Sequence, residues 1–153
     1  MQSLHTCFKL RTKYKKDKKD NTMNKSGKNY KVISCGNIQS LGRVVLHDAL
    51  ELTGSEVSIN ELPAGVSVPF VHAHKNNEEV YVVLSGKGWL YIDGDEFEIK
   101  ESDAFRIDSK GERCIKADNT SSLRFICVQA KTSSLEGFTQ MDGVPSEAKP
   151  SWL

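Results

Sequence analysis

The chain has 153 residues, and its 21 Lys and Arg nearly balance its 20 Asp and Glu. This length suits one domain with an adequate core. The balanced charge gives no overall argument for a nucleic-acid or membrane partner. We find no apolar run long enough for a signal peptide or a membrane span, and the four cysteines form no C-x-x-C pair. We therefore expect a cytoplasmic protein with reduced thiols, no membrane partner and no nucleic-acid partner.

Positive charge is concentrated in the first twenty residues, where seven basic side chains outnumber two acidic ones. Such a block is typical of a solvated, disordered tail, and salt-sensitive nucleic-acid binding through it is the weakest functional hypothesis. Met23 offers a second possible start. We assign residues 1–25 to a basic disordered tail or an over-extended start, 26–135 to a β-barrel domain and 136–153 to a C-terminal extension.

Short segments rich in β-branched and aromatic residues recur along the chain and predict strands. They cover residues 30–34, 42–47, 56–62, 79–84, 89–92, 96–100, 104–107, 113–117 and 123–128. Turn residues separate them, which is typical of a β-sandwich or barrel.

The segments between the strands carry their own signals. Residues 85–88 predict a tight glycine turn, and 93–95 predict a hairpin because Asp-Gly stands between apolar strands. The alternation of 96–100 predicts that Phe97 and Ile99 point inward. Residues 50–54 predict a loop or one helical turn, and 135–139 predict another helical turn.

Two of the four histidines, His72 and His74, are separated by a single residue. On an extended strand, residues i and i+2 point to the same side. Glu79 opens the next strand, and the polar residues 75–77 between them are typical of a turn. The simplest geometry is a hairpin that brings Glu79 opposite both imidazoles. Two imidazoles and a carboxylate that converge in this way predict a divalent-metal site.

The order Gly65, His72-x-His74, Glu79, Gly86 resembles the first signature motif of the cupins, with six residues instead of the usual five before His72. The six-residue spacing to Gly86 selects Glu79 over its neighbour Glu78. The resemblance covers about residues 56–128. It implies an all-β fold, an antiparallel jelly-roll β-barrel that forms homodimers and holds one divalent transition metal (Fe, Zn, Mn or Ni) in its mouth.

The second cupin motif normally supplies a further histidine, and here the chain departs from the family. Arg113 takes that position without a gap, and Cys114 takes it after one inserted residue. The ungapped alignment is favoured, because an inward Cys114 would also bury the ammonium group of Lys116. Arginine has no lone pair for a metal. Arg113 is therefore expected to bind an anionic substrate beside the metal, or to pair with Glu79 in a barrel that has lost its metal. Ligation by Cys114 would instead favour zinc over iron.

These observations lead to two hypotheses of function. The first is a metal-binding single-domain cupin that acts on a small anionic or sugar-like molecule, and the resemblance offers dioxygenases and sugar-phosphate isomerases as enzyme classes. The alternative is a non-catalytic cupin that binds a small molecule and has lost its full metal site.

Overall fold

The computed structural model describes residues 24–37, 42–138 and 141–153, and its regular structure is almost entirely β. The strands are β1 (Lys25–Gly27), β2 (Tyr30–Val32), β3 (Arg43–Val45), β4 (Glu56–Leu62), β5 (Asn77–Ile92), β6 (Asp95–Lys100), β7 (Ala104–Ile107), β8 (Arg113–Ala117) and β9 (Leu123–Lys131). One short helix, α1 (His47–Leu50), lies between β3 and β4 and shares only Leu50 with residues 50–54, for which the sequence predicts a loop or one helical turn. Within the described ranges, no helix is long and apolar enough to cross a membrane. Residues 1–23 of the predicted basic tail lie outside the described residues, so the tail stays a prediction.

All strand pairs are antiparallel, and the long strand β5 joins the two halves of the barrel. The first half of β5 lies between β7 and β9, and β9 continues through β4 to β3. The second half of β5 lies between β6 and β8. A small separate hairpin is formed by β1 and β2. This arrangement confirms the all-β, antiparallel jelly-roll barrel that the sequence predicts.

The turn predicted at residues 85–88 is wrong, because the chain continues there as strand β5. The ladder between β5 and β9 shifts its register between Val83 and Ser85, and Gly86 adopts a positive φ of 82°. A β-carbon on Gly86 would collide with the carbonyl oxygen of Ser122, and one on Gly88 with that of Lys116. The glycines therefore permit a bend and a close backbone approach rather than a reversal of the chain.

The core lies between the inner faces of the strands and contains ten buried apolar side chains among the residues that the structure describes. These are Tyr81, Val83, Leu90, Ile99, Ile107, Ile115, Ala117, Leu123, Phe125 and Cys127.

The hairpin predicted at 93–95 is present between β5 and β6.

Of two smaller predictions, the one on side-chain packing holds in part and the one on local structure is wrong. Ile99 is buried as predicted, and Phe97 lies on the same face, opposite the buried Leu90, but its side chain is 43% exposed. The described part of the predicted helical turn, residues 135–138, has no regular structure. Leu135 and Phe138 there are exposed. An isolated helical turn without tertiary packing is unstable, because helix nucleation is unfavourable in free energy.

Candidate metal centre

The segment that carries His72 and His74 lies along β8, so the predicted hairpin with β5 is wrong. The backbone N–H of His72 donates to the carbonyl of Arg113 at 3.1 Å, and the N–H of Arg113 donates back at 2.9 Å. The N–H of His74 donates to the carbonyl of Ser109 at 2.7 Å. The first half of β5 is already paired on both edges, by β7 and by β9, so it has no free edge for the histidine segment.

The structure nevertheless brings the three predicted ligands together. One potential ligand atom from each of His72, His74 and Glu79 lies within 4.8 Å of the other two. The two imidazole rings have centroids 5.4 Å apart, as expected for residues i and i+2 on one side of an extended segment. Glu79 points inward from β5 together with Tyr81 and Val83, and Glu78 lies on the other face. The spacing argument therefore selects the acid that lies beside the two histidines.

The two carboxylate oxygens of Glu79 have different partners. Oε2 accepts hydrogen bonds from the Tyr81 hydroxyl at 2.8 Å and from Arg113 Nε and Nη2 at 2.9 and 2.8 Å. Oε1 lies 3.0 Å from His74 Nε2, and the Cys127 thiol donates to it at 3.6 Å. Three donors thus hold Oε2 inside the protein, while Oε1 faces the histidines.

The side chain of Arg113 points inward from strand β8, as the ungapped alignment with the second cupin motif predicts, and it therefore reaches Glu79. Arg113, Ile115 and Ala117 are buried, whereas Lys116 is exposed, as the alternation argument predicts. Cys114 turns away from the site and its thiol donates to the carbonyl of Val68 at 3.2 Å. The side chains of Arg113 and Glu79 are only 2% and 3% exposed, so they form a fully buried ion pair. The predicted contact of Arg113 with a substrate stays a prediction.

Electrostatics at the site favour an ionised Glu79 beside a neutral imidazole. Burial by itself would raise the pKa of Glu79, but the hydrogen bonds from Tyr81 and Arg113, with the charge of Arg113, bring it below its ordinary value. Burial, and then the positive charge of Arg113, lower the pKa of His72. A neutral imidazole and an ionised carboxylate are the protonation states that metal ligation requires.

Three further groups line the inner wall of the barrel near Glu79, and the sequence reasoning assigned none of them to the site. Burial raises the pKa of Tyr81 well above its ordinary value, so its hydroxyl remains a donor. Burial, then the charge of Glu79, raise the pKa of Cys127 to about 12. Ser58, paired with Cys127 across β4 and β9, is also buried and accepts a hydrogen bond from Asn60 at 2.9 Å. Strand alternation from Glu79 places Tyr81 on the inward face without assigning it a role, whereas the positions of Cys127 and Ser58 depend on long-range register.

The donor set fits one divalent transition metal. One potential donor atom from each of the three residues lies within 4.8 Å of the other two, close enough for one ion to take all three after a small adjustment. The Nδ1 atom of His72 is buried and has no hydrogen-bond partner among the described residues. A buried imidazole nitrogen without a partner is costly, which is typical of a group that takes an additional ligand. His72, His74 and Oε1 of Glu79 would hold the metal.

Comparison with known proteins agrees with this fold. The family model described as "Cupin domain" matches residues 58–129. A crystal structure of a cupin protein from Bacteroides fragilis is 52% identical, has a TM-score of 0.74, and the match covers 78% of this chain and 99% of that one. A protein of Methanocaldococcus jannaschii, itself uncharacterized, is 31% identical over 90 residues, which are 58% of this chain and 70% of that protein. A candidate sugar phosphate isomerase from Acidithiobacillus ferrooxidans is 26% identical with a TM-score of 0.53, and the match covers 58% of each chain.

The molecule is therefore a small antiparallel β-barrel with a possible metal-binding group of two histidines and one glutamate inside it. The chain belongs to the cupin superfamily.

Proposed function

We propose that this cupin binds one divalent transition metal through His72, His74 and Glu79 and, beside it, a small anionic or sugar-like molecule. The observation that carries the proposal is the convergence of these three donors within 4.8 Å inside the barrel. A site with only three protein ligands leaves positions for an exogenous molecule. Bound metal would supply Lewis-acid or redox chemistry at those positions, and isomerases and dioxygenases are enzyme classes that use it.

The character of the inner wall supports a small polar ligand. Ser58 and Asn60 place a hydroxyl and an amide on the inner face of β4, where both side chains are buried. Neutral donors and acceptors of this kind suit the hydroxyl or carboxylate groups of a sugar or an organic acid. The likeness to the candidate sugar phosphate isomerase points to the same chemical class.

A second function, binding of a small molecule by a metal-free barrel, is favoured by one specific observation. Arg113 neutralises the carboxylate that a metal would otherwise neutralise, through two hydrogen bonds to Glu79 Oε2. The barrel is thus electrostatically satisfied without a metal, which is the arrangement expected of a cupin that has lost its full metal site.

Elemental analysis distinguishes the two functions. We expect protein produced in medium with iron, zinc, manganese and nickel to retain about one transition-metal ion per chain, as three donors at one ion imply. His72→Ala, His74→Ala and Glu79→Ala should each lose it, whereas His47→Ala, a change on the exposed helix α1, should keep it. Equal metal content in wild type and all three site variants would refute the metal site.

A thermal-shift screen identifies the class of small molecule. Organic acids and sugar phosphates that bind the folded barrel should raise its melting temperature by mass action. In the metal-dependent function this shift disappears with a chelator and in Glu79→Ala. A shift that persists in the chelator, with no metal in the protein, would favour the metal-free function.

A further inference from the structure

We propose that Arg113 is an internal counter-charge that makes metal and anion binding interdependent in this barrel. This inference rests on the proposed metal site and adds how the charge of that site is balanced. Arg113 here acts through its charge on Glu79 rather than by gripping the substrate. The site therefore takes a divalent cation together with an anionic ligand, and binds the cation alone only weakly.

The hydrogen bonds of Arg113 fix it in this role. Its Nε and Nη2 atoms both donate to Oε2 of Glu79, and Nη1 donates to the carbonyl oxygens of Gly111 at 2.8 Å and Ser109 at 3.5 Å. The side chain is only 2% exposed. A guanidinium held by a carboxylate and two backbone carbonyls has little freedom to turn toward a ligand.

Glu79 consequently offers a metal one oxygen but little charge. Tyr81 and Arg113 occupy Oε2, which leaves Oε1 as the oxygen that faces His74. The carboxylate contributes one negative charge and the guanidinium one positive charge, so the pair is neutral. Neutral imidazoles add none, and the full double charge of a bound metal remains uncompensated by these residues.

An uncompensated double charge is expensive in a partly buried site, and an anion on the metal is the direct way to reduce it. The anion would lie beside His72 and His74, which are only partly buried. A carboxylate is the chemical class we expect, since one ligand group then neutralises charge and occupies an open position on the metal.

Cobalt titrations test the coupling, because Co²⁺ reports its ligand number through its visible absorption and accepts imidazole and carboxylate ligands. The dissociation constant is measured in sodium perchlorate, a poorly coordinating salt, and in sodium acetate at equal ionic strength. For the wild type we expect Co²⁺ to bind at least about tenfold more tightly in acetate, because a unit charge a few ångströms away contributes that much even at an effective dielectric constant of 20.

Three substitutions separate charge from structure. Arg113→Gln removes the competing charge, so in perchlorate it should bind Co²⁺ at least about tenfold more tightly than wild type and depend less on acetate. Arg113→Lys keeps the charge and should keep the acetate dependence. Arg124→Gln is the matched control, since Arg124 forms a half-buried ion pair with Glu61 elsewhere on the barrel, at 3.3 Å. This control should titrate like the wild type.

If Arg113→Gln does not fold without metal, the inference is still tested by comparing the Co²⁺ affinity of the wild type in acetate and in perchlorate. Co²⁺ binding by wild type that is as tight in perchlorate as in acetate would overturn the counter-charge role while leaving the metal site intact. An Arg113→Gln protein that folds but binds no more tightly in perchlorate would do the same. Absence of Co²⁺ binding from both proteins in both salts would overturn the proposed metal site itself.

Discussion

Tyr81 lies two residues after Glu79 on β5 and donates its hydroxyl to Oε2 of that carboxylate at 2.8 Å. Tyr81 is buried, and its ring stacks on Phe105 with centroids 4.9 Å apart. The hydroxyl therefore joins the packed core to the site and fixes the rotation of the carboxylate, so that Oε1 faces His74. Such a group positions a ligand without itself touching the metal.

Removal of this hydroxyl should weaken both the fold and the metal site. We expect Tyr81→Phe to lower the free energy of unfolding by about 1.5–3 kcal/mol, the typical value for a hydrogen bond to a charged group. It should also weaken metal binding about tenfold or more, as loss of a group that orients a ligand does. Urea denaturation and metal titration measure the two effects. Tyr91→Phe, on the second half of β5, is the control, and equal effects at the two tyrosines would contradict the positioning role.

The buried Glu79–Arg113 pair should be far more sensitive to truncation than the Glu61–Arg124 pair. Glu79→Gln leaves a guanidinium that is 2% exposed without its counter-ion, and we expect a loss of about 3–5 kcal/mol in the free energy of unfolding. Glu61→Gln affects a pair whose side chains are 17–18% exposed, so water screens the remaining charge in part and the loss should be smaller than for Glu79→Gln. Urea denaturation of both variants in the presence of a chelator measures the two losses in the free energy of unfolding. Losses of similar size would refute the predicted difference between the two ion pairs.

Acid should destabilise the metal-free protein in two stages. The pKa of His72 is lowered from 6.5 and that of Glu79 from 4.5, so in both cases the unfolded chain binds the proton more tightly. The stabilisation is complete above each ordinary value and is lost as the pH falls through the folded value. The steepest loss from one group is about 1.4 kcal/mol per pH unit.

Urea titrations at a series of pH values between 8 and 3, in a chelator, check this dependence. His72→Gln should remove the stage that begins near 6.5 and retain the stage that begins near 4.5. A His72→Gln protein with the same decline as the wild type between these values would show that another group causes it.

Gly86 should tolerate no side chain. Its φ is +82°, and a β-carbon there would collide with the backbone carbonyl of Ser122. We expect Gly86→Ala to cost more than about 2 kcal/mol, because backbone strain adds to steric overlap at this position. Gly54→Ala is the control, since a β-carbon at Gly54 meets nothing within 4 Å. Thermal denaturation compares the two, and a Gly86→Ala protein as stable as the control would contradict the role of this glycine in the bend.

The sequence by itself determined the local features of this protein. Alternation defined most strands, and the spacing to Gly86 selected Glu79 over Glu78. The i, i+2 spacing of His72 and His74 put both imidazoles on one side. Charge arguments of the same local kind placed Arg113 inward and Lys116 outward. Each of these depends on geometry within a few residues, which the order of side chains specifies directly.

The tertiary structure decided which distant groups meet. It paired the histidine segment with β8, continued β5 through the glycines at 86 and 88, and placed Cys127 beside Glu79. It also brought Arg113 to Glu79, 34 residues away along the chain, so that two of its nitrogen atoms donate to the same carboxylate oxygen. The register between strands far apart in sequence follows from packing of the whole barrel, and no short stretch of residues encodes it.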